Sequence, residues 1–373
     1  MKTFVISLLC VCVISLQVNA KRHILYVGKY TNGIANGIFV FSFNDQSGRL
    51  VDLKRPALSN NPSSLAIAPN NEFLYAVSEL DSLNEHEGGG VSAFRIESDY
   101  TLTLINHVFT HGANPCYIGL SPDGKKLVTS NYKGGNLSFF NISADGNISE
   151  MVQRIQYEGK GPFPGRQTEP HPHSVRFDAT GKLLYVADLG IDELKIYDNT
   201  SGEKMALPHA QPFIKLPPGS GPRHFDFSAD GRFIYVINEL SSTVSVLMKY
   251  GGEWKLVQTI KTLPKDFRGE NWGADIHLSA DGRFVYGSNL GHNSIVAFKR
   301  DPTNGKLEMI ETVSVEGSWP QNFTIDPSGR FLLVANQKSN DLVVFRIDQP
   351  SGKLTFTGFK SSNASPVCLQ FLK

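Results

Sequence analysis

From His23 to its end the chain alternates short apolar runs with polar turns, and none of the runs has the longer period of an amphipathic helix. Three kinds of run recur at intervals of about 50 residues, a period that belongs to solenoids and propellers. The first kind opens near a proline or histidine and spans residues 62–68, 115–120, 173–177, 222–227, 275–278, 320–325 and 366–371. The second follows a turn and spans 73–77, 126–130, 183–187, 233–237, 284–288 and 331–335, with 23–27 as one more. The third spans 37–43, 91–96, 137–142, 194–197, 244–247, 295–298 and 342–347. Asp123-Gly124, Asp230-Gly231 and Asp281-Gly282 supply turns that tolerate positive φ, while Val, Ile, Phe and Tyr suit the pleated strands between them. A further turn and a fourth strand follow the third, as at Asn304-Gly305-Lys306-Leu307 and Ser351-Gly352-Lys353-Leu354. Seven repeats of four antiparallel strands predict an all-β fold, a seven-bladed β-propeller.

The repeat is out of phase at its ends. The N-terminal part enters at a second-kind strand and the C-terminal part supplies a lone first-kind strand, 366–371. One blade is therefore expected to be closed by both termini, which removes an exposed sheet edge. Two longer inserts, 79–90 and 158–169, are expected to project from the face where Arg223 and Glu239 lie.

Composition changes this picture little. The 373 residues carry 36 basic and 35 acidic side chains, a formal charge of +1, so charge gives no reason to expect nucleic acid or an anionic membrane as partner. The start of the chain is different: Met1-Lys2-Thr3 is basic, 4–16 is almost wholly apolar, and Val18-Asn19-Ala20 has small-residue cleavage spacing. Residues 1–20 are read as a secretion signal and 21–373 as a single propeller domain, exported to the periplasm or beyond and without a membrane span after cleavage. The mature chain keeps Cys116 and Cys368, expected as two buried thiols without a bridge.

In a propeller the first strand of each blade lines the axis, so its opening residues converge. Those residues include His171, His173, Arg223, His224, Asp275, His277, Gln321 and Asn322, and the second strands end at Glu79, Asn131, Asp188, Asn238-Glu239, Asn289 and Asn336-Gln337. Asn131, Asp188 and Asn289 fit an ordinary turn-forming role. His173, Arg223 and Glu239 depart from what their own repeats carry elsewhere and are the candidate catalytic residues. His277, Asp275, Gln321, Asn336 and Gln337 are the candidate substrate-binding residues. The histidines offer metal-ligand chemistry, but there is no tight ligand motif, and neither a metal nor another cofactor is expected. The chain also lacks a glycine-rich phosphate loop and a Gly-x-Ser-x-Gly elbow.

Gly221-Pro222-Arg223-His224, Asn238-Glu239-Leu240, Trp272-Gly273-Ala274-Asp275-Ile276-His277 and Val334-Ala335-Asn336-Gln337-Lys338-Ser339, set on a sevenfold repeat, resemble the lactonase seven-bladed propeller family. That family includes the propeller-type 6-phosphogluconolactonases and the fungal carboxy-cis,cis-muconate cyclases. The resemblance implies a metal-independent site with a histidine, two arginines and a glutamate. His173, Arg223 and Glu239 match three of these, but Leu290 stands where the second arginine is expected and Gln321 replaces an arginine frequent in relatives. Arg268 and Lys133 are the candidates to compensate. The implied activity is hydrolysis of a sugar lactone, with Glu239 or His173 as general base and Arg223 at the developing oxyanion. Export and the missing arginines favour an unphosphorylated substrate. The alternatives are an exported propeller that binds a sugar acid or a protein without catalysis, and a lactonising enzyme of the muconate-cyclase type.

Overall fold

The computed structural model describes residues 20–31, 33, 35–83, 86–200 and 205–373. The segment read as a secretion signal, apart from Ala20, lies outside the described residues. Among them there is no helix long and apolar enough to cross a membrane, and the regular structure is β-strand throughout.

The strands form seven antiparallel blades of four, arranged in a ring. Blade 1 starts at Leu65–Ile67, blade 2 at Pro115–Leu120, blade 3 at Pro172–Phe177, blade 4 at Pro222–Phe227, blade 5 at Gly273–Leu278 and blade 6 at Pro320–Ile325. Blade 7 takes its inner strand, Pro366–Phe371, from the C-terminal end and its next two, Arg22–Lys29 and Ala35–Asn44, from the N-terminal end. Leu25 pairs with Phe371 and Val27 with Leu369, so the expected closure is present. Ala57–Ser59 adds a short extra pairing to blade 7, and a small hairpin, Ser82–Leu83 with His86–Glu87, occupies the first insert.

Second strands are covered on both faces by the neighbouring blades, which is why they read as continuous apolar runs: Phe233–Asn238 is buried at every position. Adjacent blades are also stapled by hydrogen bonds. Tyr235 Oη donates to Gly305 O at 2.9 Å and Tyr286 Oη to Gly352 O at 2.9 Å, each reaching the outer turn of the next blade.

The inner strands carry one device that sets up the site. In blades 2, 3, 4, 6 and 7 the register slips just after the opening proline, between Pro115 and Tyr117, Pro172 and Ser174, Pro222 and His224, Pro320 and Asn322, and Pro366 and Cys368. Cys116, His173, Arg223, Gln321 and Val367 are the bulged residues. A bulge leaves its extra residue outside the ladder and re-aims its side chain, here toward the centre of the ring.

Candidate active site

The bulged residues wall a cavity of about 360 Å³ to which all seven blades contribute. His173, Arg223, Glu239 and Gln321 line it together with Tyr30, Glu79, Tyr132, His224, Trp272, Leu290 and Trp319.

Local structure in blade 4 places its two charged residues side by side. Gly221 takes φ +64°, and a Cβ there would stand 2.5 Å from Leu240 Cγ. This close approach lets Glu239 N donate to Gly221 O at 2.7 Å, which holds the end of the second strand against the start of the first. Arg223 is buried; its Nη1 donates to Ala274 O at 2.5 Å and its Nε lies 3.1 Å from Glu239 Oε2 without being aimed at it. Its Nη2 has no partner among the described residues. Arg166 Nη2 donates to the other oxygen, Glu239 Oε1, and approaches Tyr132 Oη at 3.4 Å. Glu239 thus bridges two guanidiniums, one oxygen to each.

Arg166 arrives on the 158–169 insert. That loop is ordered by Gln167, which is 1 % exposed and donates to Leu189 O at 2.7 Å and Asp192 Oδ1 at 2.8 Å while accepting from Phe163 N at 2.9 Å.

The imidazole of His173 packs edge-on against Tyr132 and His224, with ring centroids 5.5 and 5.2 Å away. Burial, reinforced by the charge of Arg223, holds its pKa well below the usual histidine range, so the ring is neutral. Opposite, Tyr30 Oη donates to Glu79 Oε2 at 3.0 Å, and burial raises the Glu79 carboxyl. Trp272 and Trp319, with ring centroids 5.6 Å apart, form an aromatic wall beside Leu290.

Four of the residues expected to bind substrate lie elsewhere. Asp275 and His277 sit deeper along the inner strand of blade 5. Asp275 is 3 % exposed and His277 faces a second cavity on the far side. Asp275 is equivalent in register to His224, one residue past the bulged position that Arg223 holds in blade 4. Asn336 is fully buried and donates to Asp341 Oδ1 at 2.9 Å and Val315 O at 3.2 Å, tying second strand to third. Gln337 is held by its backbone N on Trp319 O at 2.9 Å and is not part of the lining. Lys133 pairs with Asp81, and Arg268 donates to Lys265 O and Phe267 O of its own loop, so neither stands in for the missing arginine. Arg166 brings the second guanidinium instead. Among the described residues no three His, Cys, Asp or Glu side chains are placed to hold a metal ion.

A family model described as lactonase, 7-bladed beta-propeller, matches residues 24–371. The chain belongs to this lactonase family.

Relatives within the lactonase family span most of the chain. A 6-phosphogluconolactonase of Bacillus subtilis is 35% identical over 306 residues, covering 81% of this chain and 84% of its own, and a 6-phosphogluconolactonase of Formosa agariphila is 40% identical over 305 residues, covering 80% and 85%. The solved structure of a periplasmic gluconolactonase from Pseudomonas aeruginosa is 36% identical and superposes with a TM-score of 0.89 over 94% of this chain and 99% of that one.

For a lactonase-family propeller, Arg166, Tyr30 and the two tryptophans are what sequence reasoning missed. The insert carrying Arg166 was expected on this face, but no residue in it was singled out. Its signal was a lone arginine between Gly and Pro turns, beside a buried glutamine.

Proposed function

We propose that the protein is an exported hydrolase of unphosphorylated sugar lactones, acting in the cavity where the seven inner strands converge, without a metal. The observation that carries this reading is the Arg166–Glu239–Arg223 bridge beside the neutral ring of His173. Lactone hydrolysis adds water to an ester carbonyl and needs positive charge where the oxyanion develops. Arg223 Nη2, free of other partners and backed by a buried ion pair, suits that position. His173 is suited to donate a hydrogen bond to the same oxygen as a neutral imidazole. Glu239, with an arginine on each oxygen, orients the guanidiniums.

Charge balance supports the choice of substrate. Both guanidiniums of the cavity are engaged by the single carboxylate of Glu239, so neither is a free cation for a phosphate dianion. The secretion-signal pattern of residues 1–20 and the likeness to a periplasmic gluconolactonase point the same way.

Purified mature protein, followed with a pH indicator over the spontaneous rate, is expected to hydrolyse gluconolactone-type substrates faster than their 6-phosphates, and a chelator is expected to leave the rate unchanged. Preference for the phosphorylated lactone would refute the charge argument, and no turnover above background would refute the lactonase reading.

A further inference from the structure

His224 is the second imidazole of the front cavity, and its surroundings differ from those of His173. Its Nδ1 lies 2.8 Å from Asp275 Oδ1, and its Nε2 has no partner among the described residues. Asp275 is otherwise saturated: Oδ1 also accepts from Ile276 N at 3.0 Å, and Oδ2 meets His277 Nε2 at 3.0 Å, Asn322 Nδ2 at 2.5 Å and Phe323 N at 3.3 Å. An ionised carboxylate surrounded by donors only accepts, so His224 carries its hydrogen on Nδ1 and its lone pair on Nε2. The ring lines the same cavity as Arg223 and Glu239, edge-on to His173. Among the described residues His173 has no carboxylate bonded to its ring; its Nδ1 has only a long contact, 4.0 Å, to Cys116 Sγ. Burial and the charges of Arg223 and Arg166 oppose a proton on it; burial and Arg223 lower His224 as well, but there the Asp275 carboxylate acts the other way.

We infer that His224 and Asp275 form a histidine–carboxylate dyad in which His224 is the general base of lactone hydrolysis and Asp275 the residue that positions it. This rests on the lactonase reading given above. As the water oxygen bonds to the ester carbonyl carbon, its proton passes to His224 Nε2 and the carbonyl π pair moves onto the oxygen facing Arg223. The imidazolium so formed lies against the Asp275 carboxylate, which favours it. Collapse of the tetrahedral intermediate breaks the bond from carbon to the ring oxygen, and that oxygen takes the proton from His224. The product is the open hydroxy acid, and His224 is neutral again.

The test combines kinetics with a measurement on the unaltered protein. His224→Gln is expected to lower kcat roughly 10²–10⁴-fold with KM changed little, the range of a lost general base. Asp275→Asn is expected to lower kcat and displace the acidic limb of the kcat/KM pH profile, whereas a purely structural defect would leave that limb in place. In the wild-type protein, nitrogen-15 NMR of the imidazoles, with the His224 signals assigned through bonds from its own backbone resonances, is expected to show Nδ1 protonated and Nε2 bare near neutral pH. A hydrogen on Nε2 of the neutral ring overturns the dyad even if both variants fail to fold. A folded His224→Gln enzyme with kcat within about threefold of wild type overturns the base assignment and leaves the lactonase reading standing. Absence of turnover in the wild-type protein overturns both.

Discussion

Each oxygen of Glu239 meets a different arginine, so one change there frees two cations. Glu239→Gln is expected to lower kcat/KM by roughly 10²–10³-fold, on the scale of a lost oxyanion-hole donor, because both guanidiniums lose their orientation. Arg166→Met leaves Arg223 paired and is expected to cost less, about tenfold, when the two variants are compared by initial rates on the same lactone. Asp275 and His277 give a stability signature. Burial opposes charge on both, yet their mutual attraction wins: the Asp275 carboxyl is held well below its usual range and the His277 pKa is raised. The Asp275 contribution is complete above the ordinary carboxylate pKa and is lost as pH falls through its depressed folded value. That of His277 is complete below the ordinary imidazole pKa and is lost as pH rises through its raised folded value. His277→Gln should therefore destabilise the protein more in urea melts at pH 6 than at pH 9, and equal losses at both would contradict the pairing. His173, Arg223 and Glu239 were legible in the sequence because each departs from what its repeat carries elsewhere, and the structure gathers all three in one cavity. Arg166 was not, because its partner lies on another blade and only the path of the loop brings them together.

At the scale of the strand and turn, the repeat explains positions that resemble chemistry. Asn238 Nδ2 donates to Thr243 Oγ1 and Ser245 Oγ, both at 2.9 Å, and Asn336 makes the equivalent link to Asp341. Asn336→Ala is expected to cost about 1–3 kcal/mol in stability, the penalty for stranding buried polar partners, while kcat stays at the wild-type value. A fall in kcat without loss of stability would restore Asn336 to the site. Gly305 is a second case. It takes φ +71°, and a Cβ there would stand 2.2 Å from the Phe233 ring. Gly305→Ala combines backbone strain with overpacking and should cost about 2–4 kcal/mol, read as a lower urea midpoint. The sequence displayed these strands and turns because alternation and Asp-Gly pairs are local signals. The bulges after Pro172 and Pro222 were hidden, since an extra residue in one strand shows only against its partner. Without them the depth of Asp275 relative to Arg223 was not readable, and Asp275 and His277 were placed at the wrong level.

For the whole molecule, the closure of blade 7 makes stability a property of the ring. Leu25, Val27, Leu369 and Phe371 share one core cluster with Phe331 and Leu333 of blade 6. Deleting residues 364–373 strips the inner strand from blade 7 and uncovers that cluster, and the truncated protein is expected to lose cooperative thermal unfolding altogether. A truncation that melts like the full chain would contradict the closure. Ring architecture and closure were both legible, because the sevenfold count and its phase shift at the ends survive without any knowledge of contacts.

The same closure sets an order of events during synthesis. The strand that Leu25 and Val27 need is made after the other six blades, so those blades can be present while Arg22–Lys29 still waits for its partner, with apolar side chains uncovered. A chain cut short before Pro366 would keep the cavity residues from Tyr30 to Asn322, lose Val367 and Cys368, and be a substrate for proteases and aggregation rather than a slightly shortened enzyme.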